Sequence, residues 1–205
     1  MRPYDRDEDP IEFGRVVALT DAVFAIALTL LVLDLALPEQ AAGAPLAEAL
    51  VDTIPRFYAF VISVAVVGTF FLSHHELLSM LQRIDTGFLG LTIPYLGLIA
   101  LIPFAQSVLS DRADEPLAFA LYGVVLGLAS TVGALMLGHA RRRGLLREPL
   151  VGRDARFEVA RSGLPIVLFL ASAGLAFLVG EWAVLFWVAI WPLDSMLVRL
   201  QRKGA

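Results

Sequence analysis

Six ionisable side chains lie within or beside long apolar runs of this 205-residue chain: Asp21, Asp34, His74, His75, Glu76 and His139. A charge inside a bilayer is costly unless it is paired or wetted, so each such residue marks an ion or proton path, or a polar pin between helices. Arg15 precedes Asp21 by six residues, whereas partners on one helix face are three or four apart. The spacing therefore assigns the partners of both to other helices. Arg15, Thr20, Asp21 and one of His74 and His75 fall at a similar depth and can form one polar knot, which would either pin helices or take part in transport. The adjacent His74-His75-Glu76 is not the His-Glu-x-x-His spacing that puts two metal ligands on one helix face, and neither a P-loop nor a G-x-S-x-G elbow occurs. The chain has no Cys, so thiolate-bound zinc and iron–sulfur clusters are excluded. No catalytic residue, metal site, cofactor or nucleic-acid partner is expected.

Between the two aspartates the apolar residues are themselves patterned. Ile26, Leu30, Leu33 and Leu37 recur at i, i+4, i+7 and i+11, which is one stripe of an α-helix. Thr29 lies beside the stripe, and Asp34 lies near its far end. Such a stripe serves either as a lipid or helix contact or as the lining of a pore.

The elements that position these groups are membrane helices. Hydrophobic residues make up 58% of the chain and charged ones 18%, and the mean hydropathy is +0.76. A soluble domain has about 45–50% apolar and about 25% charged residues. A membrane helix needs about 20 mostly apolar residues. Val16–Leu37, Phe57–Ser73 with its continuation past His75, Phe88–Leu109 and Pro116–Leu137 each suffice. Leu164–Val179 and Trp182–Leu193 read as a tight hairpin around Gly180-Glu181. Gly123, Gly127, Gly133 and Gly138 read as small-residue helix packing, and Pro94 and Pro103 can bend the third span. Glu39–Ala49 fits a short helix outside the membrane.

Six spans follow, in an all-α membrane protein: a tail over 1–13, one membrane domain over 14–200 and a tail over 201–205. The acidic leader, with Asp5, Asp7, Glu8 and Asp9, argues against a cleaved signal peptide. Fourteen of the sixteen Lys and Arg residues fall in the N-terminal tail, the 2–3 and 4–5 loops and the C-terminal tail; Arg56 and Arg112 alone fall on the other side. Both termini are therefore expected in the cytosol. The basic 4–5 loop, with Arg141, Arg142, Arg143, Arg147, Arg153, Arg156 and Arg161, reads as a topogenic segment facing lipid headgroups.

The segment Arg15-Val-Val-Ala-Leu-Thr-Asp21-Ala-Val-Phe-Ala-Ile26-Ala-Leu-Thr29-Leu-Leu-Val-Leu-Asp34 resembles the first helix of the transmembrane protein 175 family, potassium-permeable channels of lysosomes and bacteria. Phe71-Leu-Ser-His74-His75 is similar to its Trp-x-x-His-His segment, Leu101-Ile102-Pro103-Phe104 to its Leu-Pro-Phe segment, and Tyr122-Gly123 also fits. Leu19, Thr20 and Phe71 stand where the family has Phe, Ser and Trp. The resemblance implies a homotetramer around helix 1 in the plasma membrane of a bacterium, conducting K+. It assigns Ile26, Leu30 and Leu33 to the pore constriction and Thr29 to cation selectivity. It also assigns Arg15, Thr20, Asp21, His74 and His75 to a cytosolic-side polar network. Asp34 would draw cations to the outer mouth. The alternative is a proton-coupled secondary transporter or proton-permeable channel that uses Asp21, His74 and His75.

Overall fold

The computed structural model describes residues 4–36, 45–149 and 152–180. Within them lie five long helices, α1 (Pro10–Leu31), α3 (Ile54–Met80), α4 (Thr86–Asp111), α5 (Pro116–Arg143) and α6 (Gly152–Val179), with a short α2 (Leu46–Asp52) before α3. The helical stretches Pro10–Leu35, Ile54–Met80, Thr86–Asp111, Pro116–Arg143 and Phe157–Leu178 are long and apolar enough to cross a membrane. The expected sixth span, Trp182–Leu193, lies outside the described residues, as do Leu37, Glu39 and the C-terminal Arg199, Arg202 and Lys203.

Local chemistry sets the helix ends. Pro10, Pro55 and Pro116 sit in first turns, where a missing N–H costs nothing. The Asp85 carboxylate caps α4 by accepting the Phe88 N–H at 2.7 Å. α5 ends at Gly144, whose φ of 63° is left-handed and suits a residue without Cβ. Arg141, Arg142 and Arg143 fill its last turn, where positive charge suits the helix dipole. α3 runs unbroken through His74-His75-Glu76, and α4 through Pro94 and Pro103.

α4 and α5 form the centre, where Phe88, Ile99, Ile102, Tyr122, Leu126, Ala129, Met136 and Ala140 are fully buried. α6 packs closely on α5 because two glycines let it approach. A Cβ built on Gly123 would lie 3.0 Å from the Phe169 carbonyl oxygen, and one on Gly127 2.5 Å from Leu170 Cδ2. The small-residue reading thus holds at these two positions; at Gly138 no atom of the described residues lies within 4 Å of such a Cβ.

One end of the bundle is tied by three chain segments. β1 (Tyr4–Asp5) pairs antiparallel with β2 (Arg83–Ile84). Gln82 N–H and Arg83 N–H donate to the Leu145 carbonyl at 2.8 and 3.1 Å, and Arg147 N–H donates to Met80 O at 2.8 Å. Arg6 donates from Nη2 to Leu78 O at 2.7 Å and lies 4.3 Å from the Phe13 ring centroid. At the opposite end Arg56 joins the exit of α1 to α4, donating to Ala36 O at 3.3 Å and Asp111 Oδ1 at 3.2 Å.

Candidate functional site

α1 has two faces. Phe13, Thr20, Phe24, Ala27 and Leu31 are buried and pack on α3 and α4. Ile11, Leu19, Ile26 and Leu30, continued by Leu33 just past its end, recur on the other side and are exposed, Ile26 by 58%, Leu30 by 41% and Leu33 by 70%. The structure thus places the residues of the expected stripe that it describes on one open face. Thr29 is on that face too, and its hydroxyl donates to Ile26 O at 2.8 Å. A hydroxyl has one proton and two lone pairs. Since the proton is committed to the helix, the oxygen that Thr29 presents outward is an acceptor, which is what a cation needs. Beyond Leu31 the chain tightens into a 3-10 turn, Val32–Leu35. It carries Asp34, half-buried, whose Oδ2 has no hydrogen-bond partner among the described residues.

The expected polar knot is not joined within one chain. Arg15 is exposed and pairs with Glu12 Oε1 at 3.1 Å. Within the chain its partner is thus on its own helix, three residues back, where the Arg15–Asp21 spacing alone pointed to another helix. Glu12 sits at the spacing that puts two side chains on one face. Asp21 is exposed. Thr20 is buried and donates to Val17 O at 2.7 Å. The two histidines part company, because neighbours on a helix point about 100° apart. His74 turns inward, with its ring 4.8 Å from Tyr95 in a stack and 6.0 Å from Phe24. Its Nε2 is buried without a hydrogen-bond partner among the described residues. His75 is exposed and stacks on Phe71 at 6.0 Å. Phe71 also meets Phe24 edge-on at 5.5 Å, so Phe24 is held by three rings from α3 and α4.

The remaining ionisable candidates find partners that the spacing did not reveal. Arg161 of α6 donates to Glu76 Oε2 at 2.8 Å. His139 Nε2 lies 2.8 Å from Asp85 Oδ1, and Arg143 Nε lies 3.6 Å from the other carboxylate oxygen. Burial pushes the Asp85 carboxyl up, but the Phe88 N–H, His139 and Arg143 together outweigh it and hold the group below its ordinary range.

A buried polar junction was missed by sequence reasoning. Ser63 of α3 donates to Gln106 Oε1 of α4 and lies 2.8 Å from the Tyr122 hydroxyl of α5. The single Ser63 proton goes to Gln106, so Tyr122 is the donor in the second bond. The available signal was the amide of Gln106 inside an otherwise apolar run.

Comparisons with known proteins agree with this architecture. The family model described as "Endosomal/lysosomal potassium channel TMEM175" matches residues 15–103. A Streptomyces collinus protein named a potassium channel is 33% identical over 171 residues, 78% of this chain and 82% of that one. A Chamaesiphon minutus protein, also named a potassium channel, is 32% identical over 119 residues, 57% of this chain and 59% of its own. The fold matches a crystal structure of a lysosomal potassium-selective channel TMEM175 homolog from Chamaesiphon minutus. The TM-score is 0.78 at 24% identity, over 95% of this chain and 99% of that one. On the extent of the match to the Streptomyces relative, the chain belongs to the TMEM175 family.

Proposed function

We propose that this chain is one subunit of a potassium-permeable cation channel, a homotetramer with four copies of α1 around the pore, in the plasma membrane of a bacterium. The observation that carries the reading is the open face of α1, where Ile26, Leu30 and Leu33 stand in line with the outward-facing oxygen of Thr29. The bacterial relatives named potassium channels support K+ as the permeant ion, and an ion channel is not an enzyme.

The physics of four such faces is direct. Four Ile26 side chains make a narrow apolar ring that closes by constriction or dewetting, and Leu30 and Leu33 continue it. Four Thr29 oxygens next to that ring replace part of a cation's water shell and set selectivity. Four Asp34 carboxylates at the outer mouth concentrate cations, an effect that salt screens. Arg15 and Asp21, exposed on one chain, reach neighbouring copies in a cytosolic-side network. Thr20, His74 and His75 serve this network, His74 from beneath α1 and His75 from the exposed face of α3.

In this reading the membrane domain covers 14–200, with tails over 1–13 and 201–205, six spans and both termini inside. The fourteen-to-two distribution of basic residues supports this orientation. So does the meeting of the N-terminal tail with the 2–3 and 4–5 loops at one end of the bundle.

The test is flux. The purified tetramer in K+-loaded liposomes should release K+ down its gradient without an added solute or proton gradient. Flux that requires a proton gradient and saturates with a small solute would replace the channel with a transporter.

A further inference from the structure

The side of α3 that faces away from α1 carries a second feature. α3 and α6 are bridged at two places: by the Arg161–Glu76 ion pair at 2.8 Å, and by the Phe70 and Phe169 rings, stacked with centroids 6.1 Å apart. Against these bridges and α5 lies a cavity of about 130 Å³. Val66, Phe70, Leu77, Ala129, Leu137 and Phe169 give it an apolar lining. Among its hydroxyls, Thr69, Ser130 and Ser162 each donate to a carbonyl of their own helix, at 2.9, 2.9 and 2.8 Å, so their protons are committed to the helix.

The mouth is different in kind. Glu76, Glu158 and Arg161 line it, and Arg141 follows Leu137 by one turn on the same face of α5. Carboxylates and guanidinium groups thus stand together at the basic end of the bundle. A headgroup of one sign meets groups of its own sign there, whereas one that carries both signs is complemented at each end. An acyl chain seated in the cavity gains dispersion contacts with its walls.

We propose that this crevice seats a segment of one acyl chain of a zwitterionic phospholipid, with the phosphate toward Arg141 and Arg161 and the ammonium toward Glu76 and Glu158. The site does not depend on α1 lining a pore. The inner wall of the crevice includes the stacked His74 and Tyr95, whose rings also hold Phe24 of α1.

Native mass spectrometry of the full-length protein, titrated with either phosphatidylethanolamine or phosphatidylglycerol, tests it. The protein should retain one phosphatidylethanolamine per subunit, several-fold over phosphatidylglycerol at equal concentration. Ala134→Phe, which fills the cavity from α5, should lower that retention several-fold at unchanged helicity and assembly mass. Glu76→Gln, which keeps the cavity and removes one carboxylate, should move the preference toward phosphatidylglycerol. Equal retention of the two lipids by the native protein overturns the proposal. So does a preference that Glu76→Gln leaves unchanged, or retention that a folded Ala134→Phe protein keeps in full.

Discussion

Ile26 and Thr29 share a turn of α1 and a hydrogen bond, yet they present opposite chemistries to the same open face. If four copies surround a pore, the ring of Ile26 sets its width and the oxygen of Thr29 its affinity for a dehydrating cation. Ile26→Ala or Ile26→Asn should therefore change single-channel conductance several-fold, read in planar bilayers. Asp34 acts at longer range. Asp34→Asn should reduce K+ current most at low salt, and the difference should fade as the Debye length shrinks from about 30 Å at 0.01 M to about 3 Å at 1 M. A current ratio that is independent of salt would remove Asp34 from the mouth. The open face that Ile26 and Leu30 share was legible because the stripe has a helical period, whereas the roles proposed for these residues rest on the family resemblance. Which partner each ionisable group takes was not. The spacing sent the partner of Arg15 to another helix, yet within the chain Glu12 takes it from the same face. His139 meets Asp85 from 54 residues away, a pairing that only the packing of α4 on α5 creates.

The helices themselves were largely legible, since apolar runs of membrane length leave the backbone few ways to satisfy its polar groups. The glycines of α5 show how sequence turns into packing. Gly123 faces the Phe169 backbone oxygen, which cannot swing away as the end of a side chain can. Gly123→Leu should lower stability by about 1–3 kcal/mol or more through overpacking, seen as an earlier thermal transition in detergent. Gly138→Ala, with open space at its Cβ, should leave the transition in place. At the tied end of the bundle, Asp85 caps α4 and holds His139 and Arg143. Its folded-state pKa lies below the ordinary 3.8, so its stabilisation is present above that value and is lost as pH falls through the lowered one. Asp85→Ala should cost about 1 kcal/mol at neutral pH, as a lost cap does. The gap to the native protein should narrow as pH falls below the ordinary 3.8, in melts recorded across the range. A gap that does not narrow there would mean that the charge of Asp85 is not what holds the cap. The ties between Leu145 and Gln82 or between β1 and β2 were not foreseen, because short strands in loops carry no periodic signal.

The apolar excess of the chain has two destinations. Part packs α4 and α5 together, and part is exposed along all five long helices, α1 among them. A chain with 58% hydrophobic residues shows its membrane character at once, but composition cannot divide lipid-facing from pore-facing surface. The fold adds that α1 buries one side and leaves Ile11, Leu19, Ile26 and Leu30 open, with Leu33 just past its end. A single subunit cannot enclose a path with that face, so the account requires four. Light scattering on detergent-solubilised protein should give a protein mass four times the 22.3 kDa of the chain, and a monomer as the conducting species would contradict the pore at α1. Bilayer recording of the native tetramer beside Ile26→Ala under K+ and proton gradients bears on the whole reading. A K+ current that the substitution alters is the expected result. No current from tetrameric protein under either gradient, or a current identical in the two proteins, would contradict it.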